Sequence, residues 1–404
     1  MFNVTDALTA RGHEVIPLSV RYTRNRSTPY ARYFVSPLAG EDQVFFRERR
    51  LTPRTLWRTL MRLFYALDVE KAVTRIGVDT RPQIAYVLQY LRILSPSLLV
   101  GLKKAGLPIV VRLSEFAMLC PQGHCLRDEL PCELCVRGNL WPSIRYRCVQ
   151  GSFAASLLNA LATWYHRARG FFDLIDVFVT TTEFMYRMMA SAGFPERRLR
   201  WIPTSVDGTA FQPSRGFAKD GYIVYAGRLE VIKGLHVLVG ALALLHRKRP
   251  DLSLHLKVAG WGSESYTTRI KQDVLRAGLQ DVVQFVGELG VNELSSLLNK
   301  AQLSVVPSLW YENLPNAVLE SLACGTPVLA SRLGSLVECV KDDETGYLFR
   351  PGDADSLAER IEHCLDHPQK VAAMSQKARR VAEDVYSPER HLGALEELFV
   401  ELVG

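Results

Sequence analysis

From Gly221 to about Ser331 the chain repeats one unit, and that repetition limits its fold more than any other feature. "YIVYAG", "LSLHLKVAG", "VVQFVG", "LSVVPS" and "TPVLAS" are short apolar runs, each bounded by glycine, proline or serine. Between them lie stretches whose apolar residues recur at helical spacing, such as "LHVLVGALALLHRK" after the loop "GRLEVIKG". Short runs buried on both faces and alternating with helices are the grammar of a parallel, doubly wound α/β sheet. The first half follows the same grammar less regularly, with "HEVIPLSV", "QIAYVLQY", "LPIVVRLSEF" and "IDVFVTTTEF" as strand candidates. A chain of 404 residues exceeds one core of ordinary size. Two similar α/β domains are therefore expected, at 1–205 and 221–386. The Pro-, Gly- and Ser-rich segment 206–220 is the candidate linker. A last helix over 387–404 begins at Ser387-Pro388 and is a candidate for packing back on the first domain.

Composition narrows the class. The chain is 48% hydrophobic and 23% charged, an ordinary soluble balance. Asp6, Arg11 and Glu14 interrupt the opening segment, and no window reaches the roughly 18 apolar residues needed to cross a bilayer. A cytoplasmic protein is expected. The net charge of +7 conceals an asymmetry: residues 1–200 hold 28 Lys and Arg against 16 Asp and Glu, and residues 201–404 hold 21 against 26. The first half thus faces an anionic partner, whether phospholipid, lipid-linked phosphate or nucleic acid, or is simply a solvated basic surface. "TLWRTLMRLFYAL" and "LLNALATWYHRARGFF" mix basic and aromatic residues at helical spacing, which suits an anionic membrane surface and core packing alike.

Chemistry concentrates in "WYENLPNAVLESLACGTPVLAS", Trp310–Ser331. Pro315 suits the first turn of a helix that starts around Leu314 to Asn316, runs to Cys324 and stops at Gly325. Glu312 then lies in the preceding loop and Glu320 in the second turn. The free N–H groups of the helix start, around Leu314, Pro315 and Asn316, welcome an anion or hydroxyl oxygens. Each carboxylate accepts hydrogen bonds from neighbouring hydroxyls, so the pair can hold two polyols, such as the two sugars of a nucleotide sugar. Asp353-Ala-Asp355, which has a metal-holding spacing, falls in the turn "PGDADSL" and reads as a helix N-cap.

Five of the eight cysteines crowd into "CPQGHCLRDELPCELCVRGNLWPSIRYRC". Cys132 and Cys135 have the spacing of a metal knuckle, with Cys120 and Cys148 placed nearly symmetrically outside it. Four thiolates around a structural zinc fit this pattern, with His124 and Cys125 as substitute ligands; buried unliganded thiols fit it too.

"GRLEVIKG", "KVAGWG", "VQFVG", "PSLWYENLPNAVLESLACGTPVLAS" and "GSLVECV" together resemble, in order and spacing, the C-terminal domain of retaining GT-B glycosyltransferases of family 4. The resemblance spans about Gly221 to Asp384. It implies two Rossmann-like domains facing across a cleft, a nucleotide-sugar donor, a glycan or lipid-linked glycan acceptor in surface polysaccharide synthesis, and no metal in catalysis. It further implies that Glu312 binds hydroxyls of the donor sugar and Glu320 the ribose diol. Arg228 and Lys233 would clamp the diphosphate, helped by backbone amides at Gly334, Ser335 and Leu336.

Two departures stand out. Family members usually carry His-Asp after the strand equivalent to "PIVVRLSEF", where this chain has Ser114-Glu115, so Glu115 is the candidate on the acceptor side. Members also open with a strand and a glycine-rich loop, whereas "MFNVTDALTARGHEV" resembles the helix that follows, so this sequence is expected to lack that first strand and loop. These departures keep a rival open, a non-catalytic or truncated sugar-nucleotide binder. A zinc-dependent nucleic-acid binder leaves the second half unexplained, and a nucleotide-sugar epimerase lacks its histidine and acid pair, so no nucleic-acid partner is expected.

Overall fold

The computed structural model describes residues 2–38, 52–213, 221–252, 254–313 and 315–404. Leu314 and residues 214–220 of the expected linker lie outside these described residues.

The first domain begins with helices α1 (Phe2–Ala10), α2 (Pro53–Phe64) and α3 (Leu67–Thr80), followed by strand β1 (Ala85–Val87), α4 (Ser97–Lys104) and β2 (Ile109–Arg112). A cysteine-rich excursion follows, with a two-residue ribbon of β3 (Leu126–Arg127) and β4 (Leu130–Pro131) and a short α5 (Trp141–Arg145). Then come α6 (Phe153–Ala168), β5 (Val177–Thr180), α7 (Glu183–Ser191) and β6 (Leu199–Trp201). The sheet is parallel, in the order β1-β2-β5-β6. Side chains alternate across it as period-2 geometry requires. Ile109, Val111 and Phe178 enter one core, while Val110, Val177 and Val179 face the opposite side.

The second domain runs β7 (Tyr222–Ala226), α8 (Leu235–Lys248), β8 (His255–Ala259), α9 (Glu264–Arg276), β9 (Val283–Gly287) and α10 (Val291–Lys300). It continues with β10 (Leu303–Val306), α11 (Asn316–Ala323), β11 (Val328–Ser331), α12 (Leu336–Cys339) and β12 (Gly346–Phe349). Helices α13 (Ala354–Asp366), α14 (Pro368–Val385) and α15 (Pro388–Val403) close the chain. All six strands pair in parallel, in the order β12-β11-β10-β7-β8-β9. From β7 the chain winds outward to β9, then returns to the other side of β7 for β10. The strand order therefore reverses between β7 and β10, where an open α/β sheet leaves a crevice beyond its carboxyl ends.

Helix α15 crosses back to the first domain. Leu395 and Leu398 pack on Val110, Val177 and Val179, and Glu401 accepts from Arg200 at 2.9 Å. Ser387 caps it by accepting from the Arg390 amide. Asp353 likewise caps α13, accepting from the Ser356 amide at 2.9 Å.

One expected strand does not form. In "HEVIPLSV" only Val20 pairs, in an isolated bridge to Val35. Pro17 lacks the N–H that a ladder needs, and the segment does not join the sheet.

Candidate functional site

The crevice at the strand reversal is a cleft of about 280 Å³. Tyr225, Ala226 and Gly227 line it from the end of β7, Val305 to Ser308 from the end of β10, and Gly260 from the end of β8. Its floor is smooth because it is glycine. A methyl group at Gly260, whose φ is +137°, would lie 1.9 Å from the Gly227 carbonyl oxygen. The added Cβ at Gly262 would come within 2.0 Å of the Leu229 oxygen. Both are close-approach glycines, and only Gly260 faces the cleft.

Lys233, Glu312, Pro315, Asn316 and Glu320 converge on this space. Lys233 ends a short 3₁₀ turn, Val231–Lys233, and the next residue, Gly234, has φ +73°. Any side chain at Gly234 would overlap the Pro307 carbonyl, with Cβ 1.8 Å from its oxygen. That contact sets the turn against the end of β10 and aims Lys233 at Glu312. The Glu312 carboxylate is buried and firmly held. Its Oε1 accepts from Ser308 Oγ at 2.6 Å, Lys233 Nζ at 2.7 Å and Trp310 Nε1 at 2.9 Å, and its Oε2 from Lys233 at 3.0 Å. Ser335 Oγ donates to the Glu312 carbonyl at 2.5 Å. Only Oε2 keeps acceptor capacity for a ligand hydroxyl.

Glu320 is in the opposite situation. Among the described residues its carboxylate has no hydrogen-bond partner, and burial pushes its pKa up from 4.5 to about 7. Desolvation without compensation disfavours the charged form. Such a group is incomplete until donors arrive. Beside it, the amides of Asn316 and Ala317 open α11 with no acceptor among the described residues, since the helix bonds begin with Val318 donating to Pro315.

The remaining expected residues are more scattered. Arg228 is exposed and ion-paired to Glu230 at 2.9 Å, outside the lining of the cleft. Gly334, Ser335 and Leu336 sit at the start of α12, also outside the lining; the Leu336 amide already donates to the Leu333 carbonyl, and Ser335 acts through its hydroxyl on Glu312. Glu115 follows β2 and hydrogen-bonds Gln89. Burial raises its pKa, against the opposing pull of Arg92 and that hydrogen bond.

The loop that carries Glu312 also joins the domains. Asn313 Nδ2 donates to the Leu113 carbonyl at 2.9 Å, and Thr181 Oγ1 donates to the Asn313 carbonyl at 3.1 Å. Tyr311 Oη donates to Glu133 at 2.7 Å, and the Tyr311 ring packs on Phe116 and Phe184. Glu338 accepts from the amides of Glu183, at 2.8 Å, and Phe184, capping α7 from the other domain. Ser308, Trp310, Asn313 and Glu338 were not singled out from sequence. A hydroxyl and an indole placed four and two residues before Glu312 are the one local hint.

Cys120, Cys132, Cys135 and Cys148 line one small cavity of about 10 Å³. Cys125 is fully buried and does not line it, while His124 stacks edge-on against Trp310. As the side chains stand, no three His, Cys, Asp or Glu among the described residues form a ready metal site.

Three comparisons bear on this architecture. The chain is 34% identical over 185 residues to a D-inositol 3-phosphate glycosyltransferase of Arthrobacter sp. (strain FB24), covering 44% of each. It is 34% identical over 194 residues to an MMP alpha-(1->4)-mannosyltransferase of Mycolicibacterium hassiacum, covering 48% of this chain and 46% of that one. The matched stretch thus spans about half the length of these curated relatives. Among solved structures, sucrose-phosphate synthase of Thermosynechococcus elongatus aligns over 99% of this chain and 92% of its own at a TM-score of 0.69 and 19% identity. Anabaena Alr3699/HepE, solved in complex with UDP, aligns over 83% and 82% at a TM-score of 0.63 and 20% identity. Residues 208–381 match the model of the family described as Glycosyl transferases group 1. The chain therefore has the two-domain GT-B fold, with a second domain that matches glycosyl transferases group 1.

Proposed function

We propose that the chain is a glycosyltransferase of the retaining, family 4 type, moving a sugar from a nucleotide-sugar donor to a glycan acceptor. The observation that carries this reading is the gathering of Lys233, Glu312, Asn316 and Glu320 around one cleft at the strand reversal. The names of the curated relatives, both sugar transferases, support it.

In this reading the ribose diol completes Glu320, and a hydroxyl of the donor sugar takes Oε2 of Glu312. The diphosphate lies between Lys233 and the open amides of Asn316 and Ala317, and Arg228 reaches it by leaving Glu230. Negative charge grows on the leaving diphosphate as the sugar bond breaks. Fixed cations and a helix N-terminus stabilise that charge as it develops, without a catalytic metal. Glu312, held by three donors on one oxygen, is poorly placed as a nucleophile. Attack from the front face, with the donor's own phosphate oxygen taking the acceptor proton, fits this arrangement.

The acceptor in this reading is a lipid-linked glycan of surface polysaccharide synthesis, met on the cytoplasmic face of a membrane. No helix among the described residues is long and apolar enough to cross one. Trp57 of α2 and Trp164 of α6 are both exposed, on packed helices of the basic domain. The test is transfer by the purified chain from a panel of nucleotide sugars to lipid-linked acceptors, with the product anomer read by NMR. Retained configuration and indifference to EDTA are expected. Nucleotide binding with neither transfer nor donor hydrolysis would make the chain a binder instead. EDTA inhibition reversed by Mg or Mn would overturn the metal-free mechanism.

A further inference from the structure

Between Leu113 and Ser152 the chain has little regular structure, although Phe116, Met118, Leu119, Cys125 and Val136 enter the core of the first domain. That regular structure amounts to the two-residue strands β3 and β4 and the five-residue α5. Five non-glycine residues there, Cys125, Asp128, Glu129, Arg147 and Gln150, adopt positive φ between 48° and 62°. Each such residue costs free energy that surrounding structure must offset. A loop of this length without its own staple is uncommon in an ordered domain.

The staple is indicated by where the thiols lie. Cys120, Cys132, Cys135 and Cys148 come from both ends and the middle of the excursion, yet all four line the same cavity. Its volume of about 10 Å³ is that of a single small sphere. Cys135 and Cys148 each lie within electrostatic range of both Cys120 and Cys132. Two basic groups flank the cluster: Arg127 lines the cavity and stands within range of Cys148, as does Asp128, its ion-pair partner at 3.6 Å, and Arg167 stands within range of Cys135. Four thiolates on a divalent ion leave two net negative charges, which Arg167 and, in part, Arg127 offset.

We propose that Cys120, Cys132, Cys135 and Cys148 bind one zinc ion as a tetrathiolate, and that this site braces the cleft loop of the other domain. On binding, each thiol gives its proton to solvent and turns inward to a Zn–S distance of about 2.3 Å. The ion has four protein ligands and no open position, so it is structural. The brace follows from what the excursion touches. Glu133, between Cys132 and Cys135, accepts from Tyr311, and His124 packs against Trp310, whose indole holds Glu312. Loss of the ion frees the excursion and, through those two contacts, the loop Ser308–Asn313.

The test uses the full chain, purified under reducing conditions from zinc-replete cells. Elemental analysis should find about one zinc per chain. Cys125→Ser should keep it, because Cys125 does not line the cavity and reaches the cluster only through a hydrogen bond with the Cys120 thiol, which a hydroxyl can replace, whereas Cys132→Ser and Cys135→Ser should each lose it. Should those variants fold poorly, cobalt(II) exchanged into the unaltered chain should give thiolate charge-transfer bands and tetrahedral d–d absorption. Hydrogen exchange after chelation should rise in residues 113–150 and in residues 308–313, but not in residues 222–248. Zinc well below one per chain, or disulfides mapped among the four cysteines, would overturn the site. A rise confined to residues 113–150 would overturn the brace.

Discussion

Replacing Glu320 by Gln should move stability and ligand affinity in opposite directions. The Glu320 carboxyl sits half-buried at the cleft without a partner among the described residues, and desolvation raises its pKa from 4.5 to about 7. A tenfold change in proton affinity corresponds to about 1.4 kcal/mol, so the ionised group costs the free protein roughly 3 kcal/mol. The sign follows from proton binding. Between the unfolded and folded pKa values the folded state holds more protons, so stability falls as pH rises. The cost is absent below 4.5, grows up to about 7 and is complete above it. Gln has nearly the same shape and no charge to desolvate. Urea denaturation should find the variant more stable than the parent by about 3 kcal/mol at pH 8, shrinking to about 1 kcal/mol at about pH 5.5. Nucleotide binding should show the reverse. A neutral amide that loses one acceptor leaves diol hydroxyls unpaired, weakening UDP or GDP by roughly tenfold to a hundredfold. The parent's affinity should rise with pH up to about 7 and then level, and the variant should lose that dependence. A stability difference that does not change with pH, or a variant less stable at pH 8, would refute this explanation of Glu320.

Lys233→Ala leaves Glu312 buried with only Ser308 and Trp310; it should cost about 3 kcal/mol in denaturation and lower turnover on the order of a hundredfold. Adding Glu312→Gln should restore much of the stability but none of the turnover, and recovery of both would remove these residues from the donor site. Gly260→Ala places a methyl 1.9 Å from a backbone oxygen, whereas Gly278→Ala, also at positive φ, meets nothing within 4 Å. Urea midpoints should give about 3 kcal/mol or more for the first and about 1 kcal/mol for the second; equal losses would mean that crowding at the cleft floor is unimportant. Flotation with vesicles should recover the chain on anionic but not zwitterionic lipid, and Trp57→Ser with Trp164→Ser should weaken recovery several-fold. Unchanged recovery would place the membrane contact elsewhere.

The second domain was largely legible because its strands are short apolar runs between glycine turns, a local pattern that its parallel sheet preserves. The helix Asn316–Ala323, with Cys324 and then Gly325 at its end, could be read from Pro315 and Gly325 alone. The first domain was harder. "HEVIPLSV" has strand composition but contains Pro17 and pairs only at Val20, whereas β6 is three residues long and too brief to announce itself. In the site, Glu312, Glu320 and Lys233 were found because a resemblance ordered them. What escaped notice depends on tertiary contact: Asn313 and Glu338 are ordinary polar residues until the other domain's backbone meets them. Arg228 illustrates the converse. Its motif was plain, but its side chain turns to Glu230, an alternative partner two residues along the chain.

Whether Glu320 waits for a ribose diol in a nucleotide cleft can be decided by calorimetry of the unaltered chain with UDP or GDP and with the matching 2′,3′-dideoxy diphosphate. At least one nucleoside diphosphate should bind, its dideoxy counterpart should bind at least about tenfold more weakly, and Glu320→Gln should show no such gap. Equal affinity for the two ligands in the unaltered chain, or no binding of any nucleoside diphosphate, would rule out this role for Glu320.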